Sequence, residues 1–238
     1  MHRLKILLIK EWRESMRNKM VLFGVIILPI ILVGTSVFML TTGAGAEDPV
    51  AQIILFNTAL MYFLLLPAII PLAIAVYSIV GEKEQTTLEP LLATPISDVE
   101  LFLGKALASV IPALIVNWVS FGVFLVLIRL LVGTVPLQLL TTPWLASIFG
   151  LSPLLALFSV GVTMIVSSRA SDVRAAYQFS SLAILPGLIP LIIYSTQKTL
   201  VDMNLILLEA GLLILADIAV LYFAIKLFRR EQILTRWK

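Results

Sequence analysis

Six long intervals of the chain carry no charged residue: 20–46, 49–81, 106–128, 130–168, 175–197 and 203–225, the last interrupted only by Glu209 and Asp217. A hydrocarbon core about 30 Å thick is crossed by about 20 helical residues at 1.5 Å each, so every interval can hold a span. Composition points the same way. Of 238 residues, 60% are hydrophobic and 13% charged, and mean hydropathy is +1.07. Soluble domains run at roughly 45–50% apolar and 25% charged, and so few polar residues cannot cover a soluble globule. The expected fold is an all-α integral membrane protein with six transmembrane helices near 21–41, 53–80, 101–131, 146–168, 175–195 and 204–227. They form a single transmembrane domain over 1–238.

Six spans leave both ends on one side, and the basic residues choose which. Residues 1–20 carry six Lys and Arg, Lys83 and Lys105 flank the connection after the second span, Arg169 and Arg174 flank the next turn, and the C-terminal tail carries five. Only Arg129 and Lys198 fall on the opposite side. By the positive-inside rule both termini and the connections 81–100 and 169–174 are expected to be cytoplasmic, in a multi-pass protein of the plasma membrane. The pI near 9.3 therefore reports topology, and no nucleic-acid partner is expected. The stretch ending in Ala44-Gly45-Ala46 has the small-x-small form of a signal-peptide cleavage site. Its apolar run is about twice the usual length, which favours an uncleaved span.

Residues 1–19 read as an amphipathic interface helix. At 100° per residue Leu4, Leu8, Trp12 and Met16 sweep an arc of about 120°, while Arg3, Lys10, Arg13 and Arg17 fall within about 80° of one another on the far side. Such a helix suits the headgroup layer, its cations facing anionic lipid or a protein partner. The alternative is a basic flank that only fixes orientation. Prolines mark most spans: Pro29, Pro67, Pro71, Pro112, Pro153, Pro186 and Pro190. The Pro186-Gly187 and Pro190 cluster is the strongest candidate for a broken or re-entrant element, with a simple kink as the alternative.

Enzyme chemistry has little to stand on. Cysteine is absent and His2, in the terminal helix, is the one histidine, which excludes thiolate chemistry and a His-Glu-x-x-His zinc site, and no Ser-His-Asp triad is available inside the membrane. No Gly-rich phosphate cradle ends in Gly-Lys-Ser/Thr, so the chain is not its own P-loop ATPase, and no cofactor or metal site is expected on it.

What remains is 81–105, GEKEQTTLEPLLATPISDVELFLGK, where Glu82, Glu84, Glu89, Asp98 and Glu100 stand between two apolar spans. Glu89-Pro90 and Thr94-Pro95 disfavour a continuous helix. The pattern predicts a short helix near 86–93, a turn at Pro95 and a new helix with Ser97 as N-cap. A solvated connector with no specific task is the alternative. Asp217, near the middle of the last span, costs on the order of 2.5–3.5 kcal/mol as a charge at that depth. It reads either as a proton or cation site, with Glu209 a possible second group of an ion path, or as a structural hydrogen bond to Asn117 or Asn57.

Residues 81–105 resemble the permease subunits of type-2 ATP-binding-cassette (ABC) transporters. The resemblance rests on Gly81, Glu82 and Glu84 leaving the second span, on Thr87, Leu88, Glu89, Leu91 and Leu92, on Thr94-Pro95-Ile96-Ser97, and on Gly104-Lys105 opening the third. SSRASDVRAAYQ, with Arg169, Arg174 and Gln178, is similar to the family's connection between spans 4 and 5. The short, domain-free form resembles the sodium-extruding branch. The resemblance implies a non-enzymatic permease subunit of an exporter, paired with a second copy of itself or a similar permease. ATP and Mg would be held by a separate nucleotide-binding ATPase subunit. Residues 82–96 would be the coupling helix, with Glu82, Glu84, Thr87, Glu89, Leu91, Leu92 and Pro95 orienting or docking it, and 168–174, with Arg169 and Arg174, a lesser contact. Lys10, Trp12, Arg13 and Arg17 would lie between lipid and that ATPase. Two other functions stay open: a non-transporting membrane scaffold that recruits a cytoplasmic ATPase, and an ATP-independent channel or carrier.

Overall fold

Seven helices account for the regular structure of the described residues, which in this computed structural model are 2–43, 48–84, 98–132, 140–170, 172–195 and 201–227. Helix α1 is His2–Ser15, and α2 runs over Lys19–Gly43. Helix α3 comprises Pro49–Val76, a π-helical turn Tyr77–Gly81 and a last turn Glu82–Glu84. Helix α4 is Asp98–Leu131, α5 Thr142–Arg169, α6 Val173–Ser195 and α7 Met203–Leu227.

Five of these are long and apolar enough to cross a membrane: Lys19–Gly43, Val50–Glu84, Val99–Leu131, Thr142–Arg169 and Met203–Lys226. Helix α6 is not one of the five, although its 23 residues reach about 34 Å. Helix α3 is the axis of the bundle and packs against α2, α4, α5 and α6, while α7 leans on α5. In the most apolar stretch of α3, 83% of residues are buried, against 22% in α7. The centre is aromatic: Phe63 of α3 meets Phe121 and Phe124 of α4 with ring centroids 5.4 and 5.0 Å apart. Polar ties between helices are few and specific, as expected where lipid supplies no hydrophobic drive between spans. Trp144 Nε1 donates to Asn57 Oδ1 at 3.2 Å, and Trp118 Nε1 donates to the Ile148 carbonyl at 3.2 Å.

Helix starts follow local chemistry. Asn18 caps α2, its Oδ1 accepting the Met20 amide, and Asp48 caps α3 through the Val50 amide. The Asp48 cap also places a boundary that hydropathy misses, so α3 begins at Pro49 rather than 53; α5 begins at Thr142 rather than 146, with no side-chain cap from Thr141. Two of the three π-helical turns, Phe23–Ile27 and Ser147–Leu151, lie just before Pro29 and Pro153. A proline ring clashes with the carbonyl four residues back, and a widened turn relieves that clash. Of the two readings weighed for Pro186 and Pro190, the broken helix is not seen: α6 runs through both to Ser195. The predicted coupling helix, the turn at Pro95 and the Ser97 cap lie outside the described residues, as do Thr87, Glu89, Leu91 and Leu92.

Candidate functional site

One end of the bundle gathers charges that sequence spacing keeps far apart. Helix α1 lies across the start of α4, with Leu7, Glu11 and Ser15 buried. These are one i, i+4 row, so the face turned to the protein is mixed apolar and polar. Trp12, Met16, Arg13 and Arg17 are exposed. A Cβ on Gly104 would collide with Leu7, so the glycine lets α1 approach α4 closely.

Under Glu11 sits Lys105, fully buried in the second turn of α4. Its Nζ donates to Glu11 Oε1 at 2.9 Å, to Glu82 Oε2 at 2.8 Å, and to the Ser78 carbonyl and Oγ at 2.6 and 3.0 Å. Glu11 Oε2 accepts from Ser78 Oγ at 2.6 Å. Half-exposed Lys10 closes the cluster, pairing with Glu82 Oε1 and with Glu14 Oε2 at 3.0 Å. The π-helical turn of α3 takes part. The Glu82 amide donates to the Ile79 carbonyl instead of to Ser78, as it would in a regular α-helix, and the Ser78 carbonyl accepts from Lys105.

Two ammonium groups and three carboxylates thus share one junction, and each buried charge has a partner of opposite sign. That condition separates a specifying network from a costly one. A polar cavity of about 370 Å³ lies on its α1 side, lined in part by Glu14, Arg17 and Tyr77. Burial by itself would raise the Glu11 carboxyl. The charge of Lys105, the Ser78 hydroxyl and Lys10 outweigh it and hold the group below the usual glutamate value. Burial would likewise lower Lys10, but the hydrogen bond and charge of Glu82, with Glu11 and Glu14, hold it above the usual lysine value.

The neighbouring residues bind the turn between α5 and α6. Lys83 Nζ donates to the Ser167 and Ser168 carbonyls at 2.8 and 3.2 Å, and exposed Glu84 accepts the Val173 amide at 3.0 Å. Arg169 and Arg174 are exposed on either side of that turn.

A family model described as ABC-2 family transporter protein matches residues 6–215. The chain belongs to that family. No curated protein matches it. As an ABC-2 permease it is a multi-pass membrane component of an ABC transporter, a family whose membrane component is typically not itself catalytic, and the family implies an ATPase partner. Seen against that membership, Glu82 faces inward. At 5% exposure its carboxylate is engaged by Lys10 and Lys105 and does not offer a free acid to a partner. Glu84 is the exposed acid. Lys10, expected to face lipid or a partner, turns to Glu82. Sequence reasoning missed Glu11, Ser78 and Lys83. A lysine at the head of the uncharged run 106–128 was the available signal, because such a charge needs an internal partner.

The acids of α7 stand apart from this network. Asp217 and Glu209 are both buried. The hydrogen bond weighed for Asp217 is not formed: among the described residues its carboxylate has no hydrogen-bond partner, Asn57 Oδ1 accepts from Trp144, and the Asn117 amide has no partner of its own. Among the described residues no group of three or more His, Cys, Asp or Glu is placed to hold a metal ion.

Proposed function

We propose that the chain is the permease subunit of an ABC exporter in the plasma membrane. Six spans, α2 to α7, leave both termini in the cytoplasm, and α1 is an amphipathic helix in the cytoplasmic headgroup layer. A second copy, or a similar permease, completes the pathway, and a separate nucleotide-binding subunit hydrolyses Mg-ATP. The observation that carries this reading is the buried network in which Glu82 and Lys105, on either side of residues 85–97, meet Glu11 and Lys10 of α1.

A segment that leaves and returns at one rigid, charge-specified junction moves its two flanking helices and α1 together when a partner displaces it. Residues 82–96 are then the coupling element. Glu84, Thr87, Glu89, Leu91, Leu92 and Pro95 form its docking face, Glu82 its anchor, and Arg169 and Arg174 the lesser contact. Trp12, Arg13 and Arg17 face headgroups or the ATPase. Asp217, a buried acid in a hydrocarbon-spanning helix, is the candidate for an ion path, with Glu209 on the same helix as its second group.

The test is co-expression with a P-loop ATPase encoded beside the chain, followed by purification and reconstitution of the complex. A stable complex whose ATPase activity loses its link to transport in Glu84→Ala/Glu89→Ala supports the reading. Copurification without ATP-driven transport of any ion or amphiphile in a panel would assign a scaffold. Transport without such a partner would assign an ATP-independent carrier.

A further inference from the structure

We infer that Lys83 and Glu84 are positioning residues that clasp the α5–α6 turn and make α6 follow the coupling segment. The inference rests on the coupling role proposed above for residues 82–96. The two residues are adjacent and hold opposite sides of one short turn. Helix α5 ends at Arg169, with Ala170 extended at φ −74° and ψ 142°, and α6 starts at Val173. A helix leaves its last carbonyls and first amides without internal partners. Lys83 supplies a donor to two of those carbonyls, at 2.8 and 3.2 Å, and Glu84 accepts the first amide of α6 at 3.0 Å. Each charge has the sign its helix end favours, cation at the C-terminus and anion at the N-terminus.

Two features separate this clasp from ordinary capping. First, α6 already has a local cap, since Asp172 Oδ1 accepts the Ala175 amide at 2.8 Å, so Glu84 adds a tether from another helix. Second, Lys83 is 9% exposed, and among the described residues no carboxylate lies within ion-pair distance of it. Where the described partners of a buried ammonium are neutral carbonyls, they offset its desolvation less well than a counter-charge would. The gain is geometric: α3 is fixed to the carbonyl end of α5 at two points. Displacing residues 85–97 therefore moves the base of α6 as well as α3 and α4.

The experiment is hydrogen–deuterium exchange of the reconstituted permease–ATPase complex, with and without Mg-ATP plus vanadate. In the unmodified complex, trapping is expected to change exchange at both 98–110 and 172–180. In Lys83→Met the response at 172–180 is expected to fall from about fivefold to about onefold while that at 98–110 persists, and Lys83→Arg restores it. Exposed Glu84→Gln gives the same loss of nucleotide response and serves where Lys83→Met fails to assemble. A mere cap would instead raise exchange near Val173 about fivefold in both states, leaving the nucleotide-dependent difference intact. A response at 172–180 that persists in both variants, or is absent from the unmodified complex while 98–110 responds, overturns the clasp and spares the coupling reading. No response at either segment in the unmodified complex overturns the coupling reading itself.

Discussion

Replacing Lys105 with methionine removes one charge while keeping a stem of similar length, and the structure predicts that α1 comes away from the bundle. Lys105 Nζ has four acceptors within 3.0 Å, two of them carboxylates on different helices. Without it Glu11 and Glu82, 2% and 5% exposed, are left with Lys10 as their shared cation. Removing one partner of a buried ion pair costs about 3–5 kcal/mol. Helix α1 can relieve that cost by undocking and returning Glu11 to water. The docking equilibrium is therefore expected to shift by about 150- to 4,000-fold, at 1.4 kcal/mol per tenfold. The chain has no cysteine of its own, and a Cβ built on Gly104 lies 3.7 Å from Leu7 Cβ, inside the roughly 3.5–4.5 Å of disulfides. Oxidation of a Leu7→Cys/Gly104→Cys pair therefore reports docking. In that background Lys105→Met should slow cross-linking, and adding Glu82→Gln should recover part of the rate by removing the surplus carboxylate. Cross-linking as fast in Lys105→Met as in its parent would refute the claim that this network holds α1.

Docking should also have a pH window. Glu11 is depressed in the docked state, so its contribution is complete above the ordinary value of 4.5 and is lost as pH falls through the lowered one. Lys10 is raised, so its contribution is complete below 10.5 and is lost as pH rises through the raised value. A spin label at Arg13→Cys should therefore keep constant mobility between those limits and loosen beyond them; loosening near neutrality would contradict the assignment. In Gly161→Ala the new Cβ would lie 2.6 Å from Val220 Cγ1, and such overpacking costs about 1–3 kcal/mol. Gly122→Ala meets open space and should leave Tm unchanged or slightly raised, so equal Tm changes in the two variants would count against the α5–α7 contact. Asp217→Asn breaks no protein hydrogen bond among the described residues, and it removes a charge costing about 2.5–3.5 kcal/mol at mid-span. Thermal stability should not fall, while ion-stimulated ATPase activity of the complex should; an unchanged ion response removes Asp217 from the ion path.

Much of the architecture was legible because lipid imposes so few solutions. Uncharged intervals marked the spanning helices, and their lengths agree with α2, α3, α4, α5 and α7. Helix ends were less legible, since Asn18 and Asp48 set them by side-chain hydrogen bonds that hydropathy does not register. The charged end was read only in outline. Periodicity found the exposed Trp12, Arg13 and Arg17, yet gave no weight to Glu11 and Ser15, because a polar row that binds a buried lysine resembles a solvated one in sequence. The prolines of α6 left a break and a simple kink open in the sequence, and the helix continues through both, consistent with the tolerance of such helices for a missing donor among packed neighbours.

By itself the sequence determined the solvent and the class of fold: charge-free runs of helical length must cross lipid, and scarce charges must gather where water or a partner is. It also carried the motif residues of 81–105. Only the tertiary structure decided which charges belong to the interior. Lys105 and Glu82 are 23 residues apart and Lys105 and Glu11 are 94 apart, so no local pattern can pair them. Low dielectric and the cost of a lone buried charge make that pairing obligatory once α1, α3 and α4 converge. It is this convergence that turns a set of surface-like acids into one buried, charge-paired cluster.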